Sequence, residues 1–215
     1  MSPTRKPGAP TLVLLVRHGL TPTTGKVLPG RAAGLHLADE GRRQAEAAAR
    51  RMGRLERVAA VYASPLERAR ETAAPIARAR GLAVRIERDL SEVDIGDWTG
   101  LSLKKLRGRP EWRIVQRYPS GFRFPGGESF AEMQTRVTSA IGRLVERHRG
   151  ETIVAVSHAD PIKAAVAHAL GAHLDLFQRV VIAPASITAI AYWPEGLRVL
   201  TVNSVDGDLV TLGGS

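Results

Sequence analysis

Two histidines, His18 and His158, each follow directly on an apolar, strand-like run. The first run, residues 11–16 (TLVLLV), leads into Arg17-His18-Gly19. The second, residues 152–156 (TIVAV), leads into Ser157-His158 and a helix predicted to begin at Asp160-Pro161. In an open α/β sheet ligands gather at the carboxyl ends of strands, so this placement delivers both imidazoles and Arg17 to one crevice. Such a set suits phosphoryl transfer, with a histidine as nucleophile and fixed positive charge to steady the transferring group. A single histidine after a strand is more often a hydrogen-bonded structural residue. The weight lies in the whole array.

Alternating elements must carry this array. Strand-like runs are predicted at about 11–16, 58–63, 83–86, 152–156, 186–192 and 197–202, and helices at Asp39–Met52, Pro65–Arg80, Ser129–His148 and Pro161–Leu170. Ser64-Pro65-Leu66-Glu67 reads as an N-cap, a first-turn proline and an acidic third position, and Ser129-Phe130-Ala131-Glu132 repeats the capping box. Pro75 should end the second helix early or kink it, and Gly171 should stop the fourth. The alternation predicts a three-layer α/β/α sandwich with a mostly parallel sheet, and the last two runs, around Pro194-Glu195-Gly196, form an antiparallel hairpin. Residues 1–10 read as a loose leader and 11–215 as one domain. Residues 97–127 interrupt the alternation with Trp98, Trp112, Tyr118, Phe122 and Phe124, and read as a lid insertion.

Composition bounds the chemistry further. The 215 residues contain no cysteine, which excludes disulfides, thiolate metal sites and cysteine nucleophiles. The longest apolar run near the N-terminus, Leu12–Val16, is too short for a signal-peptide core or a membrane span, so the expectation is a soluble, cytoplasmic chain without a membrane partner. The net charge of +10 is uneven. Lys104, Lys105, Arg107, Arg109, Arg113, Arg117 and Arg123, against Asp97 and Glu111, give the lid segment +5 by itself.

Four segments in register resemble the histidine phosphatase superfamily, in its phosphoglycerate-mutase-like branch. They are residues 15–21 (LVRHGLT), 62–73 (YASPLERARETA), 90–100 (LSEVDIGDWTG) and 154–158 (VAVSH). Residues 41–45 (GRRQA) and 125–129 (PGGES) also fit, and the likeness runs from about residue 11 to 192. The resemblance implies a metal-independent phosphatase without a cofactor. In it His18 is the nucleophile, Arg17 and Arg68 clamp the phosphoryl oxygens, His158 stabilises the transferring group, and Glu92 protonates the leaving oxygen and then activates water. The chemistry agrees, since neutral imidazole is a good nucleophile near pH 7 and guanidinium forks match phosphate oxygens. Thr24, at a position where the family often has asparagine, and the backbone N–H of Ala159 are the remaining candidates for holding substrate. Asp94 and Asp97 read as loop and turn residues, His148 as structural, His36, His168 and His173 as without chemistry, and Arg136 as part of a solvated face.

Besides Thr24, two departures from the family pattern stand out. Ala38 replaces a capping Ser or Thr, which leaves Asp39 as the expected cap of the first helix. Asp160 stands where small residues are common, as a cap before Pro161, and should weaken binding of a dianion unless an arginine neutralises it. Two other readings remain. One is a phosphomutase, disfavoured by the small tail Gly213-Gly214-Ser215. The other is a non-catalytic phospholigand or nucleic-acid binder using the basic segment, disfavoured by the complete catalytic array. The expected partner is a small phosphorylated substrate, not nucleic acid, and a homodimer is compatible with the sequence.

Overall fold

The computed structural model describes residues 8–209, so most of the leader and the tail at 210–215 lie outside the described residues. Six strands form one sheet: β1 (Thr11–Arg17), β2 (Ala60–Ala63), β3 (Val84–Ile86), β4 (Thr152–Ser157), β5 (Ile187–Trp193) and β6 (Gly196–Ser204). Their order across the sheet is β3-β2-β4-β1-β5-β6. The β1–β4, β2–β4 and β2–β3 pairs are parallel, whereas β5 is antiparallel to both β1 and β6. The mostly parallel sheet and C-terminal hairpin are thus as the sequence predicts.

Side-chain alternation sorts the strands into two cores. Val13, Leu15, Tyr62, Ile153 and Ala155 face the side packed by α5 (Phe130–Arg147) and α6 (Ala159–Ala169). Leu12, Leu14, Val16, Val61, Val154 and Val156 face the side covered by α1 (Asp39–Gly53) and α2 (Glu67–Ala79). β1 and β4, the two central strands, are apolar on both faces because both faces are covered.

Several helix ends differ from expectation. α1 is capped by Ala38, which has no side-chain bond to give, and Asp39 is its first helical residue. α2 starts at Glu67 rather than Pro65, because the Ser64 hydroxyl is engaged by His158. Pro75 does not end α2, which continues to Ala79. Burial of Ala69, Ala73, Ile76 and Ala77 on the sheet outweighs the hydrogen bond that proline forfeits. α6 begins at Ala159 with His158 as its N-cap, so Asp160 is a first-turn residue and not a cap. The capping box at Ser129 is present with both of its bonds.

The segment 97–127 is more ordered than a plain excursion. It holds α3 (Leu103–Arg107) and α4 (Pro110–Arg117), and its root is tied to the core. Trp98 and Phe122 each pack edge-on to Phe124 and at a tilt to each other, and Phe124 continues onto Phe130 and so to Phe177. All five rings are buried. Of the aromatics in this segment, Tyr118 is the exposed one and Trp112 is partly buried.

Candidate active site

The register of the central strands explains how residues 140 positions apart come together. Arg17 of β1 lies opposite Ser157 of β4, so the next residue on each strand is a histidine. The His18 and His158 rings are 5.1 Å apart between centroids and inclined at 60°. The His18 N–H donates to the Ser157 carbonyl at 3.0 Å, which continues the ladder one step past the strand. The turn that follows is held from two helices: Gly19 N–H donates to Thr72 Oγ1 at 3.0 Å and Leu20 N–H to Gln44 Oε1 at 2.9 Å. Gly19 and Gly41 are required here, because a Cβ on either would collide with backbone atoms of the facing segment.

His18 is set as a nucleophile. Its Nδ1 lies 2.8 Å from the Gly19 carbonyl, an acceptor only, so Nδ1 carries the proton and Nε2 keeps its lone pair. Burial, with Arg68 and Arg17 nearby, pushes its pKa down to about 3. The imidazole is neutral throughout the physiological range.

Around it stand donors with little else to bind. Arg68 is wholly buried, and its Nη2 donates to the Gly30 carbonyl at 2.7 Å while Nε and Nη1 have no protein partner. Arg17 Nη1 donates to the Ile182 carbonyl at 2.7 Å and its Nε is likewise unpartnered. His158 Nε2 lies 2.8 Å from Ser64 Oγ, and its Nδ1 has no partner. Burial and the neighbouring His18, Arg68 and Arg17 push the His158 pKa well below the ordinary range, so it too is neutral. Buried donors left unpaired are costly, and an anion at this point would satisfy them together.

Glu92 is carried on a loop clamped by its backbone. Ser157 Oγ donates to the Leu90 carbonyl at 2.7 Å. Arg136 Nη1 donates to the carbonyls of Asp89 at 2.6 Å and Ser91 at 3.1 Å, and Arg31 Nε donates to that of Glu92 at 2.8 Å. Glu128 joins both arginines, at 2.8 Å and 2.7 Å, and accepts the Asp94 N–H at 2.9 Å. Arg136 is therefore a largely buried brace and not part of a solvated face, because α5 turns it toward three carbonyls and Glu128. The Glu92 carboxyl accepts from the Val93 N–H at 3.0 Å. Burial, reinforced by Asp160 and opposed by that bond, Arg68 and Arg17, raises its pKa to about 7.

The remaining sequence candidates are placed differently. Thr24 Oγ1 accepts the Thr21 N–H at 3.0 Å and bonds the Thr21 hydroxyl at 2.9 Å, so it closes the turn beyond His18. Ala159 is the first residue of α6, where its N–H has no acceptor within the helix. Asp160 pairs with Lys163 at 3.2 Å, so its neutralising cation is a lysine one turn along. His148 is structural as expected, between Tyr62 Oη and Glu151. Ser64, Arg31, Glu128 and Thr72 support the site without standing among the sequence candidates for it. Ser64 and Thr72 do lie in the second matched segment and Glu128 in the 125–129 segment, which is the signal that pointed to them. Among the described residues no three His, Asp or Glu side chains are grouped so as to hold a metal, and no helix is long and apolar enough to cross a membrane.

A model of the histidine phosphatase superfamily (branch 1) matches residues 13–205. The bifunctional protein Rv2228c of Mycobacterium tuberculosis is 36% identical over 196 residues, which cover 88% of this chain and 52% of the relative. The chain thus spans about half the length of that relative. Phosphoserine phosphatase 1 of Hydrogenobacter thermophilus is 33% identical over 178 residues, or 77% of this chain and 79% of the relative. Among solved structures, the mycobacterial glucosyl-3-phosphoglycerate phosphatase Rv2419c superposes with a TM-score of 0.80 at 26% identity, over 91% of this chain and 99% of the other.

Proposed function

The chain belongs to the histidine phosphatase superfamily, and on that premise we propose that it hydrolyses a small phosphomonoester through a phosphohistidine at His18. One observation carries the reading: the nucleophile-ready Nε2 of His18 is accompanied by unpaired buried donors on Arg17, Arg68 and His158. In the first step Nε2 attacks phosphorus, the bond to the leaving oxygen breaks, and Glu92 donates its proton to that oxygen. In the second, Glu92 takes a proton from water, the water oxygen attacks phosphorus, and the phosphorus–nitrogen bond breaks to release His18. A carboxyl near neutrality can serve in both directions. Arg17 and Arg68 supply the charge that a metal supplies elsewhere, which supports metal independence.

Relatives named for phosphoserine and for glucosyl-3-phosphoglycerate support a small organic phosphate as the substrate class. Burial of Trp98, Phe122 and Phe124 in the core leaves them no face on which to stack bases, which favours this reading over nucleic-acid binding. Rapid acid-free quenching with phosphorus-labelled substrate should trap a base-stable, acid-labile phosphoprotein that His18→Ala cannot form. Turnover undiminished in His18→Ala would overturn the proposal.

A further inference from the structure

Asp160 is not needed as a helix cap, yet it lies two residues beyond His158 and is firmly held. Lys163 Nζ reaches its Oδ1 at 3.2 Å, donates to Gln178 Oε1 at 3.0 Å and lies 5.9 Å from the centroid of the buried Phe177 ring. A lysine anchored by Gln178 and Phe177 fixes the carboxylate it pairs with. The loop carrying Glu92 is pinned to the same place, because Ser157 Oγ, three residues before Asp160, bonds the Leu90 carbonyl. Glu92 and Asp160 thus hang from adjoining points at the end of β4. Among the described residues, no ion pair within 4.0 Å joins Glu92 to an arginine, and the bond to its carboxyl comes from the adjacent Val93 N–H.

We propose that Asp160, strapped by Lys163, is a positioning residue for the proton on Glu92, its fixed negative charge keeping that carboxyl loaded until the leaving oxygen requires it. The inference rests on Glu92 as the general acid. The charges that face Glu92 are Arg17 from β1, Arg68 from α2 and Asp160 from α6, with Arg31 and Arg136 bound at its carbonyl. Both Arg17 and Arg68 draw the proton off, and among these side chains Asp160 is the one that retains it, in the same direction as burial. Lys163 accounts for the tolerance of a carboxylate beside an anion site: it supplies the countercharge, so Arg17 and Arg68 stay available to phosphate. Asp160 itself exchanges no proton in either step.

The test compares the pH dependence of kcat/KM for an alkyl phosphate and for p-nitrophenyl phosphate in wild type, Asp160→Asn and Lys163→Met. Removing the negative charge should move the alkaline limb to lower pH. At pH 8 Asp160→Asn should lose about tenfold on the alkyl substrate, little at pH 5, and little on the aryl substrate, whose leaving group needs no proton. Inhibition by inorganic phosphate should tighten several-fold in the same variant, as expected for one fewer negative charge near the site, by roughly 1 kcal/mol. Lys163→Met should do the opposite, extending the alkaline limb and weakening phosphate. Superimposable alkyl profiles for wild type and a folded Asp160→Asn overturn the proposal. Should Asp160→Asn not fold, an unmoved or acid-shifted limb in Lys163→Met overturns it instead. Glu92→Gln separates the two levels. Retained alkyl turnover there removes the general acid and the inference with it, whereas its loss alongside a wild-type profile in Asp160→Asn removes only the role of Asp160.

Discussion

Ser64 Oγ and His158 Nε2 lie 2.8 Å apart, and this bond settles which face of the second imidazole can act on phosphate. The Leu66 N–H approaches the same oxygen at 3.4 Å, and with no other acceptor bonded to the Ser64 hydroxyl among the described residues, its proton goes to Nε2. His158 then carries its proton on Nδ1, the buried nitrogen without a protein partner. A hydroxyl that sequence patterning assigns to a helix cap instead fixes a tautomer.

Ser64→Ala should therefore reduce kcat with little change in KM. Loss of one hydrogen bond to a neutral ring is worth about 1 kcal/mol, or roughly three- to tenfold in rate. Steady-state kinetics check this, and Ser64→Thr should restore most of the rate. An unchanged kcat in Ser64→Ala would leave the tautomer to some other group.

Arg136→Met should disable Glu92 without altering any contact of its carboxyl. The substitution frees the carbonyls of Asp89, Ser91 and Glu92 and one side of Glu128, at a cost of about 1–3 kcal/mol in stability. Turnover of alkyl phosphates should fall at least several-fold more than that of p-nitrophenyl phosphate. Equal losses on both would mean that the brace serves folding alone.

Acid should destabilise the protein before ordinary carboxylates titrate. Between pH 6.5 and about 3 the unfolded chain protonates a His18 that the folded state keeps neutral, and His158 is shifted in the same direction, so the contribution of both is full above pH 6.5 and lost as pH falls. Glu92 acts in the opposite sense. Its pKa is raised from 4.5 to about 7, so its contribution is full below pH 4.5 and lost as pH rises through 7. Two groups against one leave stability rising with pH between 4.5 and 6.5. Urea titrations across that range should show it, and His18→Asn should flatten it; identical slopes in the two proteins would contradict the neutral, buried His18.

Activity should survive exhaustive chelation, because Arg17 and Arg68 hold the charge directly. Dialysis against EDTA followed by assay tests this. Loss that one divalent ion restores would replace the phosphohistidine route with a metal-assisted one.

Water should be the main acceptor of the phosphoryl group. The charge of Asp160 still reaches Arg17 despite the pairing with Lys163, which disfavours retention of a doubly phosphorylated intermediate. Phosphoglycerate supplied with a bisphosphate primer should yield mostly inorganic phosphate. Efficient isomerisation would make the chain a mutase.

What the sequence made legible was whatever repeats a simple period or sits at a strand end. The apolar runs at 11–16 and 152–156 specify two central strands, and parallel pairing of those strands is enough to bring His18 and His158 together. Arg68 and Glu92 were visible only as parts of longer matched segments. Less visible were residues whose partners are set by tertiary packing. Arg136 has the helical position of a surface residue, and only the approach of the 88–92 loop turns it inward. Ser64 has the sequence context of a cap, and only the arrival of β4 brings His158 against it. Asp160 misled in the same way, because the rule that places a cap before proline takes no account of His158 already occupying that position.

The pairing of β1 with β4 also bears on how activity is acquired. Leu12 is matched with Thr152 and Arg17 with Ser157, a closure of about 140 residues, whereas β2, α2 and β3 are near neighbours along the chain. Contacts this distant form late, since the loop entropy must be surrendered before the pairing rewards it. The nucleophile and its companion histidine are separate until that closure, so no partly folded form holding only the middle of the chain is competent. Recovery of turnover after dilution from denaturant therefore times a strongly non-local event in folding, and hydrolysis serves as a clock for the closure of β1 onto β4.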